Sequence, residues 1–463
     1  MHVTVVSHER IGARMAGPAI RSWEFTKALS ARFSTTLAAP DTSVQPVEGF
    51  DLLPFAFDDK SSLRALEEHL RRRADVVISS GHLAKKLPFL CELPIPWVAD
   101  IYIPTPVESL AHHVTSDPAL RVQAYKAAWQ TTRKMARCAD FFICASERQR
   151  DFWLGVLTAC GRLRPQLYAA DSDVRNLIDV VPFGCSASPP RERPVLKGRW
   201  PGIEPENKVI LWGGGIWNWL DPITLIRAMP QVLERHPEAK LLFLGANHPD
   251  SARVPQMRRA REARSLSRSL EMEDKAVLWG DWVPYKERGA YLIEADLGVS
   301  LHHRGLEARL AFRTRLLDAI WAGLPMVLSP GDVLAEVFAR YDLGYVVDYG
   351  AVDEVAEAIG KLLDEPNPRA TRREAFAELR KVFRWGRVVD PLVRFCEAPR
   401  KGMDEQLETS CDAKSGEDER EKAALKAEIE RLQDLVDGYR TGKVMRLLEA
   451  MHRLRRRLRL FKP

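Results

Sequence analysis

The sequence is poor in the signals that make several function classes easy to assign. Its seven cysteines are scattered at 91, 138, 144, 160, 185, 396 and 411, with no Cys-x-x-Cys pair and no histidine at metal-ligand spacing. That pattern argues against a zinc module or a disulfide framework and suits isolated buried thiols in a reducing compartment. No stretch approaches the roughly 20 uninterrupted apolar residues of a membrane span. The opening MHVTVVSHERIG has neither the basic leader nor the longer apolar run and cleavage site of a secretory signal. The mature chain is therefore expected to start at Met1 and to be cytoplasmic, soluble or bound peripherally at the inner face of a membrane. There is no Walker A sequence and no G-x-G-x-x-G fingerprint, so ATP hydrolysis and nicotinamide chemistry lose support.

What is present is alternation. A length of 463 residues suits two domains and an appendage. Before residue 188 the runs VTVVS, STTLAAP, VVISS, PWVAD, FFICAS and DVVPFG alternate with helix-length amphipathic stretches, the pattern of parallel βαβ units. The proline-rich, charged stretch between Ala187 and Gly202 reads as an interdomain linker. The alternation then restarts with KVILWGGG, KLLFLGA, AVLWGDW, DLGVSL, LPMVLS and LGYVVD, a second doubly wound sheet. The α/β chain divides into domains at 1–188 and 189–398, a flexible polar linker at 399–420 and a helical tail at 421–463.

The tail has two parts. Leu425, Ile429, Leu432, Val436 and Tyr439 form a short heptad stripe, so self-association through 421–440 is set against a solvated helix packed on its own protein. From 443 to 463, Leu447, Met451, Leu454, Leu458 and Phe461 share a face while lysine and arginine crowd the rest. An anionic membrane surface suits that helix best, by its apolar stripe and snorkelling cations. A partner helix comes second. Nucleic acid comes last, because no nucleic-acid motif accompanies the charge, and it is not expected as a partner.

Three stretches are candidates for chemistry. In GARMAGPAIRSWEF, directly after the first strand, Gly12, Gly17 and Arg21 suit a phosphate or an acceptor, with a helix starting near Pro18. Gly213, Gly214 and Gly215 follow a buried strand and can bring backbone amides to a diphosphate. Asp221 and Pro222 begin the next helix. Around Asn218, Trp217 and Trp219 stand ready for either domain closure or substrate stacking. In RTRLLDAIWAGLP, Arg313 and Arg315 open a helix that ends at Gly323. Arginines there oppose the helix dipole unless an anion lies between them; the alternative is pairing with Glu307 or Glu294.

From about Val3 to Val347 the chain resembles the GT-B glycosyltransferases of family 4. The pieces are the GPAIR loop, ADFFICASERQRDFWLGVL, VVPFG, the glycine turn, VLWGDWVPYKE and LLDAIWAGLPMV. The resemblance implies two facing Rossmann-like domains with a cleft between them, and a C-terminal crossover helix near 385–398. It also implies transfer, with retention, from a nucleotide diphosphate sugar, the hexosyl or deoxyhexosyl donor being a co-substrate; a lipid-linked or saccharide acceptor is expected from the basic tail alone. No cofactor and no metal are expected. By position in the family's paired-glutamate motif, Asp318 stands where a carboxylate holds the ribose. The first glutamate is replaced by Leu310, leaving Glu307 as its substitute if the loop follows another path. Asp100 stands where the family often has an active-site histidine, and Asp100, Glu307 and Arg313 are the expected catalytic set. Gly213, Gly214, Gly215, Asn218, Arg313, Arg315 and Asp318 would bind the nucleotide sugar, and Gly17 and Arg21 the acceptor. The Asp171-Ser172-Asp173 triplet lies outside the expected cleft and is read as chance. A catalytically silent GT-B binding module and a GT-B nucleotide-sugar epimerase are the rivals.

Overall fold

The computed structural model describes residues 1–42, 48–113, 116–246, 256–402, 427–428 and 431–433. Residues 1–404 form one compact unit holding both sheets, and residues 405–463 form a second. The heptad stripe and the basic amphipathic segment at 443–463 therefore lie, almost entirely, outside the described residues.

The first sheet is made of β1 (His2–Val6), β2 (Ser34–Pro40), β3 (Asp51–Phe55), β4 (Val76–Ser80), β5 (Trp97–Asp100), β6 (Phe141–Cys144) and β7 (Ile178–Val180). They pair in parallel in the order β3-β2-β1-β4-β5-β6-β7. Strands covered by helices on both faces read as unbroken apolar runs, and β6, FFIC, is buried at every position. The edge strand β3, DLLPF, has no such run. It contains Pro54, which lacks the amide for a ladder bond and is tolerated because β3 has a neighbour on one side only.

The second sheet is made of β8 (Lys208–Gly213), β9 (Ala239–Leu244), β10 (Val277–Gly280), β11 (Leu297–Ser300), β12 (Met326–Leu328) and β13 (Gly344–Val346). Its order is β10-β9-β8-β11-β12-β13, again parallel. In both sheets the strand order reverses beside the first strand, which leaves a crevice at the carboxyl ends of the strands where doubly wound folds bind ligands. The stretch expected as a linker is only partly one. The Val195 and Leu196 amides donate to Glu294 at 2.5 and 2.6 Å, Lys197 pairs with Asp296 at 2.8 Å, and Leu196 is fully buried. The second domain's packing thus starts several residues before Gly202.

After the second sheet the chain returns to the first domain through helices Trp385–Val388 and Asp390–Glu397. Phe395 stacks on Phe141 of β6 at 4.5 Å between ring centroids, and Trp385 meets Phe25 and Phe183. Beside this crossing the Cys185 amide donates to the Phe383 carbonyl and the Trp385 amide to the Cys185 carbonyl. The contact needs a glycine at 184, where a Cβ would lie 2.6 Å from Trp385 Cδ2 and 2.8 Å from its Cα. Gly184→Ala is expected to destabilise the protein by about 1–3 kcal/mol, the usual range for overpacking a rigid contact. The urea-unfolding midpoint measures it.

Candidate active site

A cavity of about 800 Å³ lies in the cleft between the two domains, lined by residues of both. The glycine turn after β8 forms part of its wall. Gly214 sits at φ +95°, a conformation that side-chain-bearing residues rarely adopt. Its amide already donates to the Leu244 carbonyl at 2.8 Å, so the turn does not offer three bare amides. The adjoining cation is Arg315, in the first turn of helix Thr314–Ala322. Its Nη2 donates to the Gly215 carbonyl at 2.6 Å, and its guanidinium lies over the Trp212 ring. Nη1 is buried without a hydrogen-bond partner. Burial, with Arg313 nearby, lowers the Arg315 pKa to about 9, the direction expected of a cation lacking a counter-charge.

Arg313 has a different environment. It pairs with Glu307 at 2.8 Å and approaches Asp332 at 3.6 Å, so its charge is shared between two carboxylates. This is the pairing with Glu307 set out above as the alternative to a diphosphate contact. Glu108, from helix Thr105–His112 of the first domain, joins the group. Burial first, and the Glu307 charge second, push its carboxyl up to about 7. Burial raises Asp332 to about 6. Leu310 lies in the short helix Leu306–Leu310, which packs against the first domain. Its side chain is buried and its carbonyl accepts from Gln149 Nε2 at 2.8 Å. The residue in the first-glutamate position thus serves an interdomain contact.

Asp318 lines the cleft and accepts from Arg288 Nε at 3.0 Å. Arg288, which motif reading did not single out, is itself stacked over Tyr285 and Trp321. The neighbouring Trp282 closes the cleft against the first domain, its indole N–H donating to the Met15 carbonyl at 3.2 Å.

Two expectations for the first domain are corrected. Arg21 and Asp100 do not face the cleft. They form a buried bidentate ion pair, Nε to Oδ2 at 2.6 Å and Nη2 to Oδ1 at 3.0 Å. Arg21 also donates to the Val181 carbonyl and lies over the rings of Phe25, Tyr102 and Phe183. A charge so enclosed is spent on its partner, so Asp100 is a structural carboxylate and Arg21 is no acceptor ligand. Gly17 does line the cleft, at the start of helix Gly17–Leu29. Asn218 also departs from expectation. Its Nδ2 donates to the His112 carbonyl at 3.3 Å, and its Oδ1 accepts the Arg259 amide at 3.4 Å, which ties the loop to the first domain. Trp217 and Trp219 stack at 5.4 Å and line the cavity, with Trp219 also meeting His112.

Opposite them, His8 and His82 meet edge to face at 4.0 Å beside Lys86. Burial, helped by Lys86, lowers the His82 pKa to about 4, and His8 is also held well below its ordinary value. Both imidazoles are neutral at physiological pH. Asp171 lies away from the cavity, its carboxylate accepting the Asp173 and Asn176 amides in a local turn.

Comparison with known proteins agrees with this architecture. Residues 207–365 match the family described as Glycosyl transferases group 1. Sucrose-phosphate synthase from Thermosynechococcus elongatus superposes with a TM-score of 0.60 at 12% identity, covering 86% of this chain and 98% of its own. The chain has the GT-B fold. WaaG, a glycosyltransferase involved in lipopolysaccharide biosynthesis, shares the GT-B fold at TM-score 0.56 and 15% identity, over 86% of this chain and all of WaaG. HepE from Anabaena, solved with UDP and glucose, does so at TM-score 0.58 and 11% identity, over 86% and 99%. No curated protein matches the sequence. The resemblance and the fold class read from the sequence are borne out, and the cavity lies in the interdomain cleft that a GT-B fold creates.

Two consequences can be measured. Asp100→Ala would strand Arg21 as an uncompensated buried charge and is expected to cost about 3–5 kcal/mol of stability. The specific activity of the folded fraction should stay near wild type, which a catalytic Asp100 would contradict. Glu108 has a folded-state pKa near 7 against an ordinary 4.5, so the folded protein holds a proton that the unfolded chain releases between those values. Its contribution to stability is complete below pH 4.5 and is lost as pH rises through 7. Glu108→Gln should flatten that part of a thermal-midpoint profile, and an unchanged slope would show that Glu108 titrates normally.

Proposed function

We propose that this protein transfers a glycosyl group from a nucleotide diphosphate sugar to an acceptor hydroxyl in the cleft. The observation that carries the reading is Arg315, a half-buried cation with a buried, unpartnered nitrogen beside a glycine turn. A diphosphate is the ligand chemistry that supplies its missing charge and hydrogen bonds. Asp318, oriented by Arg288, accepts the hydroxyls of the nucleotide ribose. As the bond between the sugar and the diphosphate breaks, negative charge grows on the leaving oxygen. Arg315 and the remaining amides of the turn stabilise it without solvent reorganisation. The acceptor hydroxyl then attacks the anomeric carbon of a sugar ring of oxocarbenium character, its proton passing to the Glu307 carboxylate, while Glu108, raised to about 7, stands beside it as a hydrogen-bond donor. Holding both reactants in one closed cleft supplies the remaining advantage.

The reaction requires no divalent metal in this scheme, because fixed cations act on the leaving group. Retention of configuration is what the family 4 resemblance implies, and a hexose or deoxyhexose is the sugar class assigned. The acceptor is assigned as lipid-linked or as a growing surface polysaccharide, and the peripheral membrane location follows from the basic segment at 443–463. WaaG's association with lipopolysaccharide biosynthesis supports the acceptor class. HepE's complex with UDP-glucose makes UDP-sugars the first donors to try.

A silent GT-B binding module is the second reading, favoured by one observation. The first-glutamate position is Leu310, and its neighbour Arg313 is already neutralised by Glu307 and Asp332. Donor turnover separates the two. With UDP-, GDP- and dTDP-sugars and lipid extract in EDTA, wild type is expected to release nucleotide diphosphate. Arg315→Ala and Asp318→Ala should lower kcat/KM by roughly 10²–10³. Release abolished by EDTA would refute the metal-free scheme, and no release with any donor would favour the silent module.

A further inference from the structure

The helix Pro118–Cys138 carries five cations, Arg121, Lys126, Arg133, Lys134 and Arg137, and no acidic residue. It also exposes large apolar side chains. Leu120 is 47% exposed, Val122 53%, Tyr125 38% and Trp129 44%, with Leu110 of the preceding helix at 48%. Single exposed apolar residues are ordinary, but five of the thirteen large ones exposed among the described residues fall between 110 and 129. Val122, Tyr125 and Trp129 follow at spacings of three and four, so they form one stripe, with Arg121 and Lys126 beside it. On the opposite face Ala124, Ala127, Ala128 and Thr131 line the cleft. One helix therefore walls the cavity on one side and presents an apolar, basic surface on the other.

We propose that this helix docks the protein on an anionic bilayer surface. Its composition is that of an interfacial helix: Trp and Tyr suit the headgroup layer, and lysine and arginine stems snorkel while their charges meet anionic lipid. A specific protein partner would find no carboxylate along 21 residues to set its register. A bilayer needs only charge of one sign and apolar depth. Docking in this way places one wall of the cleft at the membrane surface. It uses residues distinct from the basic segment at 443–463, and it stands independently of the chemistry in the cleft. That the docked helix delivers a lipid-borne acceptor rests on the glycosyl-transfer reading.

The test is flotation of the full chain with vesicles of phosphatidylcholine alone and of phosphatidylcholine doped with phosphatidylglycerol. The variants are Val122→Ser/Tyr125→Ser/Trp129→Ser and Arg121→Gln/Lys126→Gln. Each is made in the native chain and with Arg455, Arg456 and Arg457 changed to glutamine, so that binding through the C-terminal segment is separated. Wild type should float with the anionic vesicles only, and less as salt increases. Both sets of substitutions should weaken binding by roughly ten-fold or more, with unchanged thermal midpoint and donor cleavage. The proposal is overturned if the substituted chains bind like their parents, if wild type ignores anionic vesicles, or if the substitutions alter only self-association in sedimentation velocity. The last outcome would assign the face to a second copy. Vesicle binding that depends on this helix, in a protein that cleaves no donor, would sink the transfer reading and leave the docking surface standing.

Discussion

A guanidinium partly withdrawn from water without a carboxylate partner is an unfavourable arrangement, and one lies in the wall of the cleft. Arg315 is held there by the Gly215 carbonyl and the Trp212 ring. Neither supplies a negative charge. The like charge of Arg313 worsens the position. Folding tolerates this because the helix and the glycine turn are fixed by the rest of the second sheet, whose core is densely apolar. In the transfer reading proposed above, that unmet charge is what a diphosphate would satisfy on binding, as in a preorganised site.

Other charges in the molecule show what a satisfied arrangement looks like. Arg21 is as deeply buried as any side chain, yet it has Asp100, a backbone carbonyl and three aromatic faces around it. Arg313 has two carboxylates, and Arg288 has Asp318. Arg21 and Arg313 also keep a buried nitrogen without a hydrogen-bond partner, so the contrast is one of charge: each has a carboxylate beside it, and no such ion pair is seen for Arg315 among the described residues. Sequence alone ranks Arg21, Arg313 and Arg315 alike, because each follows a glycine-rich turn or opens a helix.

The fold was legible because doubly wound sheets write themselves as alternating apolar runs, and twelve of the thirteen strands have such a run. The exception, β3, lies at an edge and includes Pro54, so its pattern is that of a loop. Gly213 to Gly215, Arg315, Asp318 and Gly17 could be read because glycine turns and helix starts leave a local signature. Asp100 could not be read correctly, since its position at the end of β5 says nothing about whether Arg21 reaches it first. His8, His82, Glu108 and Arg288 were missed for the opposite reason: each is brought to the cleft by tertiary packing. The first two carry a usable signal all the same, as each lies two residues past the end of a strand next to the crevice.

The two strand-like passes that meet at Cys185 and Phe383 to Trp385 have a mechanical meaning. A single tether lets two bodies swing in any direction. A pair of segments laced by backbone hydrogen bonds, clamped over Gly184 by an indole, leaves fewer directions open than one tether does. The Trp282 indole on the Met15 carbonyl and the Asn218 amide on that of His112 are two further ties across the cleft, so its facing walls are held in register at more than one point.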